Sequence, residues 1–558
     1  MIISPKNITG FFRIRDRVIE PRLEETSRGK TVYSNGRYLY SKYNPSRFSI
    51  QAADTAPLIN RCIYLVPSPL LGYGLIQLVR RIPEDTVILT IEQSQEIMAL
   101  CSPELLENNG EYSGDDSRII NVRLSDRDSL HALLYSLGPW RFRRVQRVDL
   151  SSGSSLNPKL YNDLTDFLMK DLTTYWRNRH ALSRLGREWV RHTFANISQI
   201  ADGHTSFHDI NSLKTGRIPV VAGAGPSLES SFEFLTRHRK ELWIMAVDTA
   251  LPALLGSGIT PDAVAVLDTQ AWNMLDFHGS YSSKIPVIAD ITSYPPCISH
   301  TGGPCYLYSS DFAELGFLHR LKTSGLRDFT IPPLGSVGLA SIEIISRISN
   351  GPVFLTGLDF AYSPGKSHAR GSSFHHWQIS SMNRLNPHPG WEASIKRPRI
   401  KGSDASGLPR DSDAVLMGYA SLLKDRYSSE KRFHVLEPGG LYLGIPVISF
   451  IEAKAVIEGN LRGKSEEGQR ETFQDAAAEF LKMELERFSY VIAAWEAYAE
   501  GNGSAADVAE SLKGMDEVFA DFPDEPPLPK VNDSFLVRAV SRVRQLQRYI
   551  ERLIIIGT

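Results

Sequence analysis

The chain has little cysteine, no surplus of either charge sign and no long apolar run, and each shortage removes a class of protein. Its 558 residues include four cysteines, Cys62, Cys101, Cys297 and Cys305. They stand apart with no Cys-x-x-Cys spacing, which argues against a disulfide framework and against a thiolate zinc site. They read as buried, unreactive thiols of a reducing compartment. Lys and Arg number 62 against 63 Asp and Glu, a formal net charge of −1. There is no global basic field of the kind that holds nucleic acid, so nucleic acid is not expected as a partner. No stretch approaches the ~20 consecutive apolar residues that span a bilayer, so no transmembrane segment is expected. The opening, MIISPKNITGFFRIRDR, interrupts its apolar residues with charge and does not read as a signal peptide. A cytoplasmic location is the expectation.

What is present is an ordinary globular balance, 42% hydrophobic and 22% charged residues. A large core is affordable, and the length calls for more than one domain. The expected class is α/β: a central doubly wound Rossmann-like domain, flanked by an N-terminal Rossmann-like α/β domain and a C-terminal helical domain. In residues 1–155, CIYLVPSP, LLGYGLIQLVRRI and TVILTIEQ read as strand, glycine turn and helix, and strand, a βαβ unit. Glu92 ends the second strand, where an acid can take a ribose hydroxyl. The turn before it lacks the GxGxxG pattern, which favours a structural role. Residues 156–215 carry apolar positions at three- and four-residue spacing and read as a helical connector.

Over 216–460, IPVVAGAG, LWIMAVD, PDAVAVLD, IPVIAD, CYLYSS, GPVFLTGLD and FHVLE are short apolar strands alternating with amphipathic helices. That alternation specifies a mostly parallel sheet covered on both faces. Residues 466–558 turn to amphipathic helices interrupted by the proline-rich FPDEPPLPK, and these read as packing surfaces. No internal repeat is present.

The chemistry-bearing residues fall at the carboxyl ends of the central strands. Gly223-Ala224-Gly225-Pro226-Ser227 follows a strand and opens a helix, a place where backbone can approach a ligand and helix N–H groups face an anion. Close packing of backbone against backbone needs glycine equally. The next strands end in Asp248-Thr249 and Asp268-Thr269, placing carboxylates and hydroxyls at the edge where α/β sheets bind ligands. They can hold a ribose or base, ligate Mg²⁺, or cap the helices that follow. After a further strand, Asp359 leads into Tyr362, Lys366, His368 and Arg370, with His375 and His376 close behind. Tyr hydroxyls and cations suit a leaving phosphate, and a near-neutral His suits proton abstraction. The histidine spacing matches no standard zinc signature.

GAGPSL, VDTALPALLGSGITPDAVAVLDT, GLDFAYSPGKSHARG and VLEPGGLYLGI, in this order, resemble the bacterial motility accessory factors, which are flagellin glycosyltransferases. The likeness covers roughly Tyr38 to Phe450. That family is similar to bacterial sialyltransferases, which share the GxGPSL turn and a GxDFxY-type loop on the leaving phosphate of CMP-sialic acid. It is also similar to archaeal hydroxymethylpterin pyrophosphokinases, which usually continue the PDAVAVLD stretch as an acidic DLDG. Here Thr269-Gln270 follows Asp268, which weakens the kinase reading. The sialyltransferase histidine before the helix at Asp413–Tyr427 is replaced by Gly407-Leu408-Pro409-Arg410.

The resemblance implies transfer of a CMP-activated nonulosonic acid, such as pseudaminic or legionaminic acid, to Ser or Thr of flagellin. In that reading Gly223, Ala224, Gly225, Pro226 and Ser227 meet the nucleotide phosphate. Asp248, Thr249, Asp268 and Thr269 surround the ribose or a metal, and Ser336, Asp359, Gly439 and Gly440 line the same rim. Tyr362, Lys366 and Arg370 stabilise the departing phosphate, and His368, or else His375 or an acid, is general base. No cofactor is required, with Asp248 and Asp268 as candidate Mg²⁺ ligands. The other readings are a Mg²⁺-dependent pyrophosphokinase of the hydroxymethylpterin type and a non-catalytic flagellin-binding or chaperone protein.

Overall fold

The computed structural model describes residues 21–108, 118–122, 127–203, 205–213, 216–311, 315–363, 366–387, 398–437, 439–460, 473–522 and 532–557. The opening segment, residues 466–472 and the prolines of the C-terminal segment lie outside the described residues. The chain forms two compact units, the first ending at Ala181 and the second beginning at Leu182. The division falls inside one 44-residue helix, Pro158–Ala201, which occupies most of the expected connector.

In the first unit, β1 (Arg22–Thr26), β2 (Gly29–Ser34) and β3 (Arg37–Tyr38) form an antiparallel meander. Four parallel strands follow: β4 (Cys62–Pro67), β5 (Val87–Ile91), β6 (Ile119–Val122) and β7 (Arg144–Arg147), in the order β6-β5-β4-β7. Every residue of β4 and β5 is buried, as a parallel sheet covered on both faces requires. The expected βαβ unit is β4, the helix Leu75–Arg81 and β5.

The second unit is built on ten strands: β8 (Phe207–Asp209), β9 (Ile218–Ala222), β10 (Leu242–Val247), β11 (Ala263–Val266), β12 (Val287–Asp290), β13 (Cys305–Ser310), β14 (Thr330–Ile331), β15 (Val353–Thr356), β18 (Phe433–Leu436) and β19 (Val447–Ile448). A two-strand antiparallel hairpin, β16 (Ile400–Ser403) and β17 (Pro409–Ser412), stands apart from the sheet. The order is β14-β13-β12-β11-β10-β9-β15-β18-β19, with β8 also on β13, and every pairing is parallel. The chain steps outward from β9 to β14 and then returns to the other side of β9 with β15. The β9/β15 boundary is therefore the topological switch point, outside whose carboxyl ends open α/β sheets bind ligands.

Successive residues of a strand face opposite sides. Val220, Ile244 and Ala246 pack with Leu228, Phe234 and Ala253 on one side, while Val221, Met245 and Ala265 pack with Leu339, Ile342 and Leu423 on the other. Each fully buried Val, Leu or Ile contributes roughly 1.5–3 kcal/mol. The C-terminal helices do not keep a core to themselves. Phe480, Phe488, Leu536 and Val543 share one cluster with Val264, Val287, Phe194 and Phe317. Among the described residues, no helix is long and apolar enough to cross a membrane.

Candidate functional site at the carboxyl edge of the sheet

The glycine turn after β9 is spent on the protein itself. Gly223 N–H donates to Thr356 O at 2.8 Å and Gly225 N–H to Gly357 O at 2.7 Å. A Cβ on Gly223 would lie 2.4 Å from Gly357 O, one on Gly225 2.7 Å from the Asp359 carboxyl carbon, and one on Gly357, at φ +67°, 2.2 Å from Gly223 O. These glycines let two backbones cross at the switch point. The Asp359 carboxylate fills the place at the helix start that an anion would take, accepting from Ser227 N–H at 2.9 Å and from the Ser227 hydroxyl. Burial pushes the Asp359 carboxyl up, the Ser227 bonds opposing it. Gly439 and Gly440 close the plug from above, each with its missing Cβ within about 2 Å of Ser227 Cβ or Asp359 O. The remaining space between Ser227, Asp359, Glu437 and Gly440 is a cavity of about 20 Å³, room for one water. Ala224 contributes its carbonyl, which accepts from Ala369 N–H at 2.8 Å. Pro226 is half-buried just before the helix Leu228–Arg237, and Ser336 stands at the start of the helix Val337–Ile348 without a side-chain capping bond.

On the neighbouring strand β10 the edge is differently composed. Asp248 follows β10 and is 1% exposed. Its carboxylate accepts from Thr249 N–H at 2.7 Å and from Asn273 Nδ2 at 2.8 Å. The short 3₁₀ helix Ala271–Phe277 after β11 carries both Asn273 and Asp276, and Asp276 accepts from the Ser373 hydroxyl. Burial, then the charges of Asp276 and Asp268, push Asp248 up to about 7, while burial lifts Asp276 to about 6. Asp268 reaches solvent at the rim, yet the protein around it raises its carboxyl too. No cation is paired with any of the three among the described residues, so this patch carries an electrostatic debt that a ligand can relieve. The same residues bring together no group of three or more His, Cys, Asp or Glu able to hold a metal ion. With Asp248 already accepting from Thr249 N–H, Thr249 Oγ1 and Asn273 Nδ2, the trio does not fit a Mg²⁺ site as placed. Thr269 turns away from the edge to His192 Nδ1 at 2.6 Å, and burial depresses that histidine to about 4.

The segment after β15 bridges the two halves. Lys366 Nζ donates to both Glu229 oxygens at 3.0 Å, Arg370 N–H donates to Glu229 at 2.9 Å, and Arg370 Nε lies 3.7 Å from it. Burial works to raise the Glu229 carboxyl, but these partners outweigh it and hold it low. Tyr362 donates its hydroxyl to Asp413 at 2.7 Å, and Asp413 also caps the helix Ala414–Tyr427. Tyr362, Lys366 and Arg370 therefore do not converge on one point; each has an internal carboxylate. His368 packs 5.0 Å from the Phe374 ring beside Ser367 Oγ at 3.0 Å, and burial lowers its pKa, leaving it neutral. His375 Nδ1 accepts from Gly371 N–H at 3.2 Å, and His376 is exposed. Ser373 then ties the segment to Asp276.

Motif reading missed Glu229, Asn273, Asp276, Ser373 and the exposed Trp272 and Trp377, 77% and 46% accessible. Only Glu229 carried a signal, as the acid in the first turn of its helix.

With this geometry in hand, comparison places the chain among known proteins. Residues 191–365 match the model of the family described as 6-hydroxymethylpterin diphosphokinase MptE-like. An uncharacterized protein of Treponema pallidum (strain Nichols) is 27% identical over 361 residues, 64% of this chain, and the chain spans 61% of that relative's length. A second uncharacterized protein of the same organism is 33% identical over 85 residues, 15% of this chain and 39% of the relative. The solved structure of the MAf glycosyltransferase from Magnetospirillum magneticum AMB-1 superposes with a TM-score of 0.54, covering 96% of this chain and 91% of that one at 15% identity. The doubly wound α/β architecture is thus shared with a known glycosyltransferase almost end to end.

Proposed function

We propose that the chain is a glycosyltransferase that moves a sialic-acid-like nonulosonic acid from a CMP donor to Ser or Thr of flagellin. The observation that carries this reading is the hydrogen bond from Ser373 to Asp276, which ties the segment carrying His368 to the edge where Asp248, Asp268 and Asp276 lack a cation among the described residues. Asp248, Asp268 and Asp276 accept hydroxyl protons of the ribose or sugar, and partial protonation near neutral pH lets Asp248 donate as well. The acceptor oxygen attacks the anomeric carbon, the bond from that carbon to the phosphate oxygen breaks, and CMP leaves with the electron pair. The acceptor proton passes to neutral His368. Lys366 and Arg370 serve the departing phosphate by shifting from Glu229, and their positive charge, held at the helix that follows the glycine turn, supports that role. The shared fold of the MAf glycosyltransferase supports the class, and the tryptophans suit a base or an acceptor surface.

The family matched over residues 191–365 favours a second reading, diphosphate transfer from ATP to a pterin alcohol. That chemistry needs a divalent metal, which Asp248 and Asp268 as placed do not suit, so nucleotide and metal preference separate the two. Calorimetric titration with CMP, CDP, ATP and GDP, with and without Mg²⁺, is the test. Saturable CMP or CDP binding, weakened by Asp268→Ala and spared by His368→Ala, is expected. A preference for ATP with obligatory Mg²⁺ replaces the transferase with the kinase, and no nucleotide binding leaves a flagellin-binding protein.

A further inference from the structure

The second unit holds another cavity, of about 260 Å³, between the helix Asp533–Gly557, the stretch of the long helix after Leu182, and the turn Asp516–Val518. Five guanidinium groups line it: Arg187, Arg191, Arg542, Arg548 and Arg552. Arg187 and Arg191 are one turn apart on one helix, as are Arg548 and Arg552 on the other, so each pair shares a face. Arg542 is neutralised by Asp521 at 2.8 Å. Among the described residues Arg187 reaches Gln545 Oε1, at 3.5 Å, and Arg191 lies over the Tyr549 ring at 4.7 Å. Among the described residues, no carboxylate lies within ion-pair distance of Arg187, Arg191, Arg548 or Arg552.

The one acid in the lining does not cancel them. Glu517 is 1% exposed and is held by Arg320 at 2.6 Å, a guanidinium that is itself bidentate on Glu484. Its second oxygen, Oε2, is buried with no hydrogen-bond partner. Burial pushes this carboxyl up to about 8, against the pull of Arg320. With Arg542 held by Asp521 and Glu517 held by Arg320, four guanidinium groups of the lining stand without a carboxylate among the described residues.

Concentrating like charge in this way costs free energy unless an anion is taken up. Guanidinium forks match phosphate bidentately, and four of them present more donors than one carboxylate can accept. The volume falls below the ~300 Å³ at which drug-sized pockets begin, so the occupant is compact. We propose that this arginine-lined cleft is a binding site for a compact phosphate-bearing polyanion, of the size of pyrophosphate or a sugar phosphate. It is separate from the sheet-edge site and independent of the transferase reading.

The test is calorimetric titration of the full chain with sodium pyrophosphate in phosphate-free, low-salt buffer. Arg187→Gln and the double variant Arg548→Gln/Arg552→Gln are compared with the parent, circular dichroism confirming their fold. Among the described residues these side chains make no ion pair. Saturable pyrophosphate binding, weakened about tenfold by the first and about a hundredfold by the second, is expected, each charge-assisted contact being worth about a factor of ten. Binding to phosphatidylglycerol vesicles that pyrophosphate displaces and the double variant loses supports the site and identifies a lipid phosphate as its source. The proposal is overturned by an absence of saturable binding, by binding undiminished in both variants, or by citrate binding as tightly as pyrophosphate.

Discussion

The two parallel sheets of this chain close their glycine turns with the same device. In the first unit Ser68 donates to Glu92 at 2.6 Å, and a Cβ on Gly153 would sit 2.1 Å from Ser68 Oγ. In the second, Ser227 donates to Asp359, and a Cβ on Gly439 would sit 2.1 Å from Ser227 Cβ. Each is a serine of the turn, a buried acid from a neighbouring strand and a glycine pressed onto the serine. Burial raises both acids. The difference lies beside the plug. Glu92 is further satisfied by Tyr161 and by the N–H groups of Gln93 and Ser94, whereas the second sheet adds three carboxylates that lack a cation. A glycine turn after a strand therefore does not by itself mark a ligand site, and the unbalanced acids distinguish the unit suited to one.

The largest effect should come from filling a crossing. Gly357→Ala combines a left-handed backbone with a 2.2 Å clash and should cost about 3 kcal/mol or more, read as a drop in urea midpoint. A cost below about 1 kcal/mol would mean the two backbones can part, reopening the turn to a phosphate. Next, Asp248→Asn should sharpen the contrast through pH. An unfolded Asp titrates near 3.9, whereas Asp248 is held near 7 and Asp276 near 6. Between about pH 4 and 7 the folded chain keeps protons the unfolded chain has released, so these groups make stability fall as pH rises. His192, depressed to about 4, acts in the opposite direction up to about 6.5. The stability of the parent relative to Asp248→Asn should fall by on the order of 1 kcal/mol per pH unit across that window. A pH-independent difference breaks the contrast.

Asp359→Asn and Glu92→Gln should each cost about 1–2 kcal/mol by thermal melts, since each retains some but not all of the donors it serves. Glu92→Gln should leave nucleotide affinity unchanged, and a loss there would place a ligand in the first unit. The smallest effect belongs to Lys366→Met. A partly exposed pair with Glu229 is worth under about 1 kcal/mol of stability, so its signature is a lower transfer rate at nearly unchanged melting temperature.

Much of the architecture was legible because parallel strands buried on both faces announce themselves as short apolar runs, as IPVVA and LWIMAV do. The acids at the ends of β10 and β11 were legible for the same reason, since a strand's last residue is located once the strand is. What pattern could not show is partnership. Asp276 and Asn273 sit on an irregular 3₁₀ turn with no period, and Ser373 meets Asp276 across 97 residues. The role of Gly223 and Gly225 was open between ligand and backbone because a missing Cβ looks the same in either case; only Gly357 on the facing strand decides what occupies the space. Likewise, the C-terminal helices showed their apolar stripes but not the sheet they cover.

The four thiols carry a practical consequence. All are buried, and burial lifts Cys62 to about 12 and Cys297 and Cys305 higher still, which leaves these three almost without reactive thiolate at neutral pH. A single cysteine introduced at an exposed position such as Trp377 would then be the addressable sulfur of the native chain, so a fluorophore or spin label could report on the sheet edge without first removing any natural residue.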